Sequence, residues 1–582
     1  MKQLETMWTS QIDPKHVWEE YPRPLMKRDS YVNLNGLWEY VITDTKKIPE
    51  KYDGTILVPF SPESFLSGVE RQLKPQEYLW YRRTLPKTVE KTEGKRWLLH
   101  FGAVDQYAAV YLNGKFLAGH LGGYLPFSVD ITEKMTGQMD ELIVMVRDYS
   151  DTCFYSRGKQ KLKKGGMFYT AQSGIWQTVW MEQVPEHYIC NLENTPLYDE
   201  GKLRIHVTSS YPEKKEPVEA VIYTEEMQPI RTAGYTGTDL EIAIPDMHSW
   251  SPEDPYLYQI EVCMGEDRVE SYAAMRHISV EEDENGIPRM CLNHRPYFQK
   301  GVLDQGYWPD GLYTPPCDEA MIYDIRKMKE LGFNMLRKHV KIEPQRWYYH
   351  CDRLGMLVWQ DMVNGGQSYR HWYVTYLATA MEFFHIKRKD STLRLLGRRE
   401  EESRIQFLEE MKQTIRHLYN HPSIVTWVLF NEGWGQFYAQ EVTREAERED
   451  HTRLIDQASG WFDQGGGDIH SIHDYFFPLK IVPEKRVAAL TEFGGYSLGL
   501  PGHRMYEKIY GYRTFGTIEE LTEGYRKLIE QEILPNVKNG LSATVYTQLS
   551  DVEEEVNGIL TYDRRILKMK EEVVVQLNNR LL

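Results

Sequence analysis

The feature that most constrains this chain is a change of period near residue 289. Beyond it, apolar runs rich in β-branched residues alternate with long amphipathic stretches. Residues 297–303, 334–339, 356–361, 424–431, 454–457, 469–474, 487–492 and 543–549 read as strands. Helices are expected at 318–331, 400–417 and 518–534 among the segments between them. A strand covered on both faces is apolar throughout, whereas a helix shows a 3.6-residue period. Eight strands with helical crossovers predict a C-terminal (β/α)8 TIM barrel over residues 283–582, its active site where the strands end. The stretch 364–399 exceeds an ordinary βα connection and is expected to form an active-site loop or an added helix.

Upstream the period is two. Runs at 96–101, 107–112 and 141–147 are separated by turn signals such as Asn113-Gly114, which predicts a β-sandwich over 1–184. A second set at 202–207, 220–223 and 257–262 predicts an immunoglobulin-like β-sandwich over 185–282. Three domains suit a chain of 582 residues, which is too long for one core.

Bulk charge narrows the partners. A net charge of −16 disfavours nucleic acid, which demands a basic stripe to displace its counterions. The basic runs at 159–164 and 387–389 are short and read as solvated loop charges. Six scattered cysteines without a CxxC spacing argue against a zinc site and a disulfide framework; with no HExxH either, no metal and no cofactor are expected. The first residues lack the apolar core of a signal peptide and no stretch is apolar enough to span a bilayer, so a cytoplasmic protein without a membrane partner is expected. An aromatic content of 13% suits stacking on sugar faces, and equally suits large β-domains.

Two carboxylates carry the chemistry. Glu432 closes the fourth strand in Thr426-Trp-Val-Leu-Phe-Asn431-Glu432, and Glu492 closes the seventh in Ala488-Ala-Leu-Thr-Glu492. Strands four and seven face each other in an eight-stranded barrel, so the two acids meet across its mouth. Hydrolysis of a glycoside with retention needs two such groups about 5–5.5 Å apart, one protonated to release the leaving oxygen and one ionised to attack the anomeric carbon. Repulsion between neighbouring carboxylates favours that division. The Asn431 amide beside Glu432 suits a sugar 2-hydroxyl, which casts Glu432 as acid/base and Glu492 as nucleophile.

These same residues lie where the chain resembles glycoside hydrolase family 2, the family of β-galactosidases, β-glucuronidases and β-mannosidases. The likeness also rests on Tyr21-Pro-Arg-Pro24, Leu34-Asn-Gly-Leu-Trp38, Gly102-Ala-Val-Asp105, His120-Leu-Gly-Gly123, Ser173-Gly-Ile-Trp176, Gly332-Phe-Asn334-Met-Leu-Arg337-Lys-His339 and Asn420-His421-Pro422. The resemblance implies an N-terminal jelly-roll of sugar-binding type, an immunoglobulin-like sandwich and a barrel, in that order. It implies Glu432 as acid/base, Glu492 as nucleophile, Tyr475 as the tyrosine that steadies the nucleophile, and Arg337 and His339 as sugar-site residues, with His473 beside them.

Other positions are expected to read hydroxyl stereochemistry: Asp304, Asp361, Trp434, Gln548 and Glu553 all fall near strand ends. Family β-glucuronidases grip the sugar carboxylate with an Asn-x-Lys motif after the eighth strand. Here that stretch reads Glu553-Glu-Glu-Val-Asn557, and its acids are expected to repel a uronate. The first expectation is therefore an exo-acting β-galactosidase on an oligosaccharide or other glycoside, with β-glucuronidase or β-mannosidase behind it. A non-catalytic carbohydrate-binding protein is the alternative of another class, disfavoured because both glutamates are present. The sequence is compatible with a homo-oligomer.

Overall fold

Short antiparallel strands bury the first core between two sheets. The computed structural model describes residues 3–224, 228–367, 370, 372–377, 388–476, 478–482 and 484–581. A four-stranded sheet (Tyr31–Asn33, Val179–Pro185, Lys95–Phe101, Phe127–Asp130) faces a six-stranded one built around Tyr78–Thr84 and Glu141–Arg147. Alternate residues such as Leu79, Tyr81, Leu99, Val110, Val144 and Met181 point between the sheets and are nearly or fully buried. A second sandwich follows, with Ile189–Leu197, Lys202–Ser209 and Asp239–Ala243 in one sheet. Ile230–Tyr235, Pro217–Tyr223, Tyr258–Met264 and Asp267–Ala273 form the other.

Arg28 fastens these two domains. Its guanidinium donates to both oxygens of Asp267 at 2.9 and 2.8 Å, to Glu182 at 3.0 Å and to the Ile189 carbonyl at 2.7 Å. All three charged side chains are buried, so the ions replace lost hydration with one another.

The remainder is the barrel. Its parallel strands are β1 (Gln299–Asp304), β2 (Met335–Lys338), β3 (Leu357–Asp361), β4 (Ile424–Val428), β5 (Leu454–Asp456), β6 (Ile469–Asp474), β7 (Val487–Gly494) and β8 (Leu541–Thr547). Hydrogen bonding runs β5-β4-β3-β2-β1-β8-β7-β6. The β5–β6 seam is drawn together by the Asp468 N–H on the Ile455 carbonyl at 2.9 Å and by Ser471 Oγ on Asp456 at 3.0 Å. The expected strands all form, shifted at their ends by at most three residues. The helix expected over 518–534 breaks at Ile529–Ile533, where the backbone widens to a π turn. Of 364–399, residues 368–369, 371 and 378–387 lie outside the described residues, as does the start of the basic run 387–389; Trp372–Leu377 is a π-helical turn.

Strand parity sorts the side chains. Leu303, Met335, Leu357, Trp359, Val487 and Ala489 fill the barrel interior, while Val302, Leu336 and Val358 meet the surrounding helices. Arg337 shares the inward face with Met335, and Asp361 with Trp359. Asp304 shares the outward face with Val302, and Lys338 with Leu336. Among the described residues no helix is long and apolar enough to cross a membrane, and all six cysteines are free thiols.

Candidate active site

β4 ends at Val428, and the chain runs on to Asn431, which bridges to Ser459 after β5. Glu432 then takes φ +50°, a left-handed conformation that is costly for a side chain with a Cβ. The next residue must be glycine: at φ +70°, a Cβ on Gly433 would fall 2.5 Å from the Phe462 ring. Together they turn Glu432 over the barrel mouth. Across from it, regular alternation from the outward Leu490 would point Glu492 outward too. The β6–β7 and β7–β8 registers both slip at this point, and the slip turns Glu492 inward.

The result is a close pair. One oxygen of Glu432, one of Glu492 and a ring nitrogen of His473 all lie within 4.8 Å of one another. His473 Nδ1 is 3.2 Å from Glu432 Oε1, and its Nε2 is 2.9 Å from Ser459 Oγ and 3.8 Å from Glu492 Oε1. Glu432 is the more open acid, its side chain 13% exposed against 7% for Glu492.

Glu492 is held for ionisation. Tyr475 Oη donates to its Oε2 at 2.6 Å, and Arg337 Nη1 lies 3.4 Å from Oε1. Burial pushes the carboxyl up, but His473, His339, Arg337 and Lys159 outweigh burial and hold it well below the usual carboxylate range. Tyr475 is itself pushed well above the usual phenol value, by burial first and by Glu492 next, so it stays a donor. Its ring stacks on Tyr512 at 4.0 Å.

Arg337 organises the floor. It grips Asp361 with Nε and Nη2 at 2.9 and 3.1 Å, donates to the Thr491 carbonyl at 3.1 Å, and donates to Asn431 Oδ1 at 2.9 Å. With its oxygen so fixed, the Asn431 amide points its Nδ2 elsewhere, buried and without a partner among the described residues. Such a donor suits an acceptor on a bound molecule. His339 Nδ1 is 2.8 Å from Asp361 Oδ2.

Four sequence expectations meet surroundings that the residue string did not suggest. Asp304, expected to read sugar hydroxyls, lies instead on the outward face, where it pairs with Lys338 at 2.6 Å and accepts from the Gly306 N–H. Gln548 is tied on both sides, accepting from Gln305 and donating to Asn557, each at 2.8 Å. The acids after β8 do not present a repulsive edge. Glu553 is bound by Thr170, with Lys164 3.7 Å away; Glu554 accepts from the Gly166 N–H and Lys508; Glu555 accepts from Tyr169 and Asn557. Nor is the 159–164 run wholly solvated, since Lys159 is 6% exposed. Trp434 packs on Phe168 at 5.7 Å, so the jelly-roll's 159–170 loop walls this side.

Residues that sequence reasoning missed are Lys159, Ser459 and Tyr512. No spacing marks them, because two belong to other loops and one to another domain.

Comparisons with known proteins agree with this architecture. Residues 60–169 match the glycosyl hydrolase 2 galactose-binding domain-like family, 191–276 the glycosyl hydrolases family 2 model, and 290–477 the glycosyl hydrolases family 2 TIM barrel domain. A putative β-glucuronidase of Formosa agariphila is 23% identical over 437 residues, covering 71% of this chain and 48% of that protein. The β-galactosidase of Thermoanaerobacter pseudethanolicus is 25% identical over 504 residues, 81% of this chain and 62% of that one. The chain thus spans between about a third and two thirds of the length of the curated relatives it matches. Among solved structures, a β-D-glucuronidase of Dictyoglomus thermophilum superposes with TM-score 0.73 at 17% identity, covering 96% of this chain and 98% of that one. A family 2 β-galacturonidase of Eisenbergiella tayi gives TM-score 0.71 at 18% identity, covering 97% and 100%. With the three family models in register with its three domains, the chain belongs to glycoside hydrolase family 2.

Proposed function

We infer that this chain is a retaining, exo-acting β-glycosidase that works by double displacement. The observation that carries the reading is the pair of facing carboxylates, Glu432 and Glu492, with oxygens within 4.8 Å. That separation suits direct attack at one anomeric carbon and is too small for an inverting enzyme, whose acids stand about 6.5–9.5 Å apart to admit water.

The differing surroundings of the acids divide the roles. Glu492, held ionised by Arg337, Tyr475 and its cationic neighbours, attacks the anomeric carbon. Glu432, more open and hydrogen-bonded to His473, donates a proton to the departing oxygen. The bond from carbon to the aglycone breaks as the bond to Glu492 forms. Glu432, now ionised, takes a proton from water, which displaces Glu492 and restores both acids. Asn431 Nδ2 is the donor for the sugar 2-hydroxyl. The family-like jelly-roll loop against Trp434 supports a walled pocket that admits a chain end.

Relatives named for neutral and for acidic sugars resemble the chain at similar identity, so the glycone rests on the pocket's own groups. A panel of 4-nitrophenyl β-glycosides, with the first-formed anomer followed by NMR, tests the reading. Turnover with β-product first is expected; α-product first, or no turnover of any member, overturns it.

A further inference from the structure

Lys159 helps to hold Glu492 ionised, yet among the described residues its own ammonium has no acceptor within the site. Arg157 and Gly158 donate backbone N–H groups to the Asn364 carbonyl of the barrel at 3.0 and 3.1 Å. Arg157 also reaches the Gly366 carbonyl at 2.6 Å. Gly158, at φ +60°, lies so close to the chain after β2 that a Cβ would fall 2.7 Å from the Val340 carbonyl. Only glycine accepts both that conformation and that approach. Val340 follows His339, so this contact carries the next residue, Lys159, to the rim of the catalytic pair.

There the Lys159 ammonium lies 5.9 Å from the Trp434 ring centre and 5.6 Å from that of Tyr169. The side chain is more than nine-tenths buried. Its charge is felt at both Glu492 and His339. Among the described residues its Nζ makes no hydrogen bond and no ion pair. The stem is buried while the ammonium still reaches the opening of the site, and the two ring faces beside it offer no hydrogen-bond acceptor. Glu492, the acid that feels its charge, is already hydrogen-bonded by Tyr475 and Arg337, and the acids after β8 are engaged by Thr170, Lys164, Tyr169 and Asn557. The acceptor therefore comes from outside the chain.

We propose that Lys159 is a specificity residue for an acidic glycone, its ammonium taking the carboxylate of a uronic acid seated at the Glu432–Glu492 pair. The proposal rests on the glycosidase reading. It places the cation on the jelly-roll loop instead of after β8, where the acids are engaged by the protein.

The test compares 4-nitrophenyl β-D-galacturonide with the galactoside, and the glucuronide with the glucoside, on wild type, Lys159→Met and Lys159→Arg. Wild type is expected to have the higher kcat/KM on the acidic member of at least one pair. In Lys159→Met the acidic-to-neutral ratio should fall roughly 30- to 1000-fold, as for truncating one partner of a buried charge pair. Lys159→Arg, which keeps the charge, should recover part of it. A wild type that prefers the neutral member of both pairs overturns the proposal, whatever the variants do. So does a ratio that stays within about threefold in Lys159→Met. Both outcomes leave the glycosidase reading standing, whereas silence on every glycoside tried would remove that reading itself.

Discussion

Replacing Tyr475 by phenylalanine removes one oxygen from the barrel mouth and leaves the ring on Tyr512. That oxygen donates at 2.6 Å to Glu492 Oε2, while the opposite oxygen has the longer approaches of Arg337 at 3.4 Å and His473 at 3.8 Å. A hydrogen bond to a charged acceptor contributes about 1.5–3 kcal/mol. At about 1.36 kcal/mol per pKa unit, its loss raises the Glu492 carboxyl by roughly one to two units. Activity requires ionised Glu492, so the acid limb of kcat/KM, which starts below the ordinary carboxylate range, should move to higher pH. The two chemical steps respond differently. Attack consumes the carboxylate charge, whereas release of the sugar regenerates it, and a donor on Oε2 assists the release. Deglycosylation should therefore slow by roughly 10- to 150-fold. Stopped-flow measurement with an activated aryl glycoside should show a burst of one phenol per site and then a slow steady state. A steady-state rate within about twofold of wild type, with an unmoved acid limb, would refute the role of the tyrosine.

Glu492→Gln should abolish turnover while the thermal transition stays in place; wild-type rates would remove the nucleophile assignment. Glu432→Ala should slow poor leaving groups far more than activated aryl glycosides, because only the former need the proton; an equal loss on both counts against the acid role. Arg28→Met strands Asp267 and weakens the hold on Glu182, so denaturant unfolding should register a loss of about 3–5 kcal/mol, and an unchanged midpoint contradicts the fastening role. Burial pushes Glu182 up, but Arg23, His100 and Arg28 hold it well below the usual range. A depressed carboxyl stabilises the fold above its unfolded value and loses that contribution as pH falls. Wild type should thus lose stability below about pH 4.3, and Arg28→Met should show a shallower slope there.

Much of this molecule was legible because periodicity survives tertiary packing. The barrel strands had to be apolar on both faces, and the sandwich strands had to alternate. Glu432 and Glu492 stood out because a strand-ending acid at facing positions has few structural reasons to exist. Parity could have excluded Asp304, since it is an even number of residues from the outward Val302. The same counting fails at Glu492, where the register slip that aims it inward leaves no mark in the residue string. Lys159 was hidden for another reason: a basic run looks solvated until a loop from a distant domain is laid against the barrel. The acids after β8 misled in the opposite sense, because their partners Thr170, Lys164 and Tyr169 also come from that loop.

The most direct measurement is to trap the covalent intermediate with a 2-deoxy-2-fluoro glycoside of the preferred sugar and map the label by peptide mass spectrometry. Slow deglycosylation of such a substrate should leave one sugar per chain, attached to Glu492. A label on another residue, or complete inactivation with none, would contradict the double displacement on which the account depends.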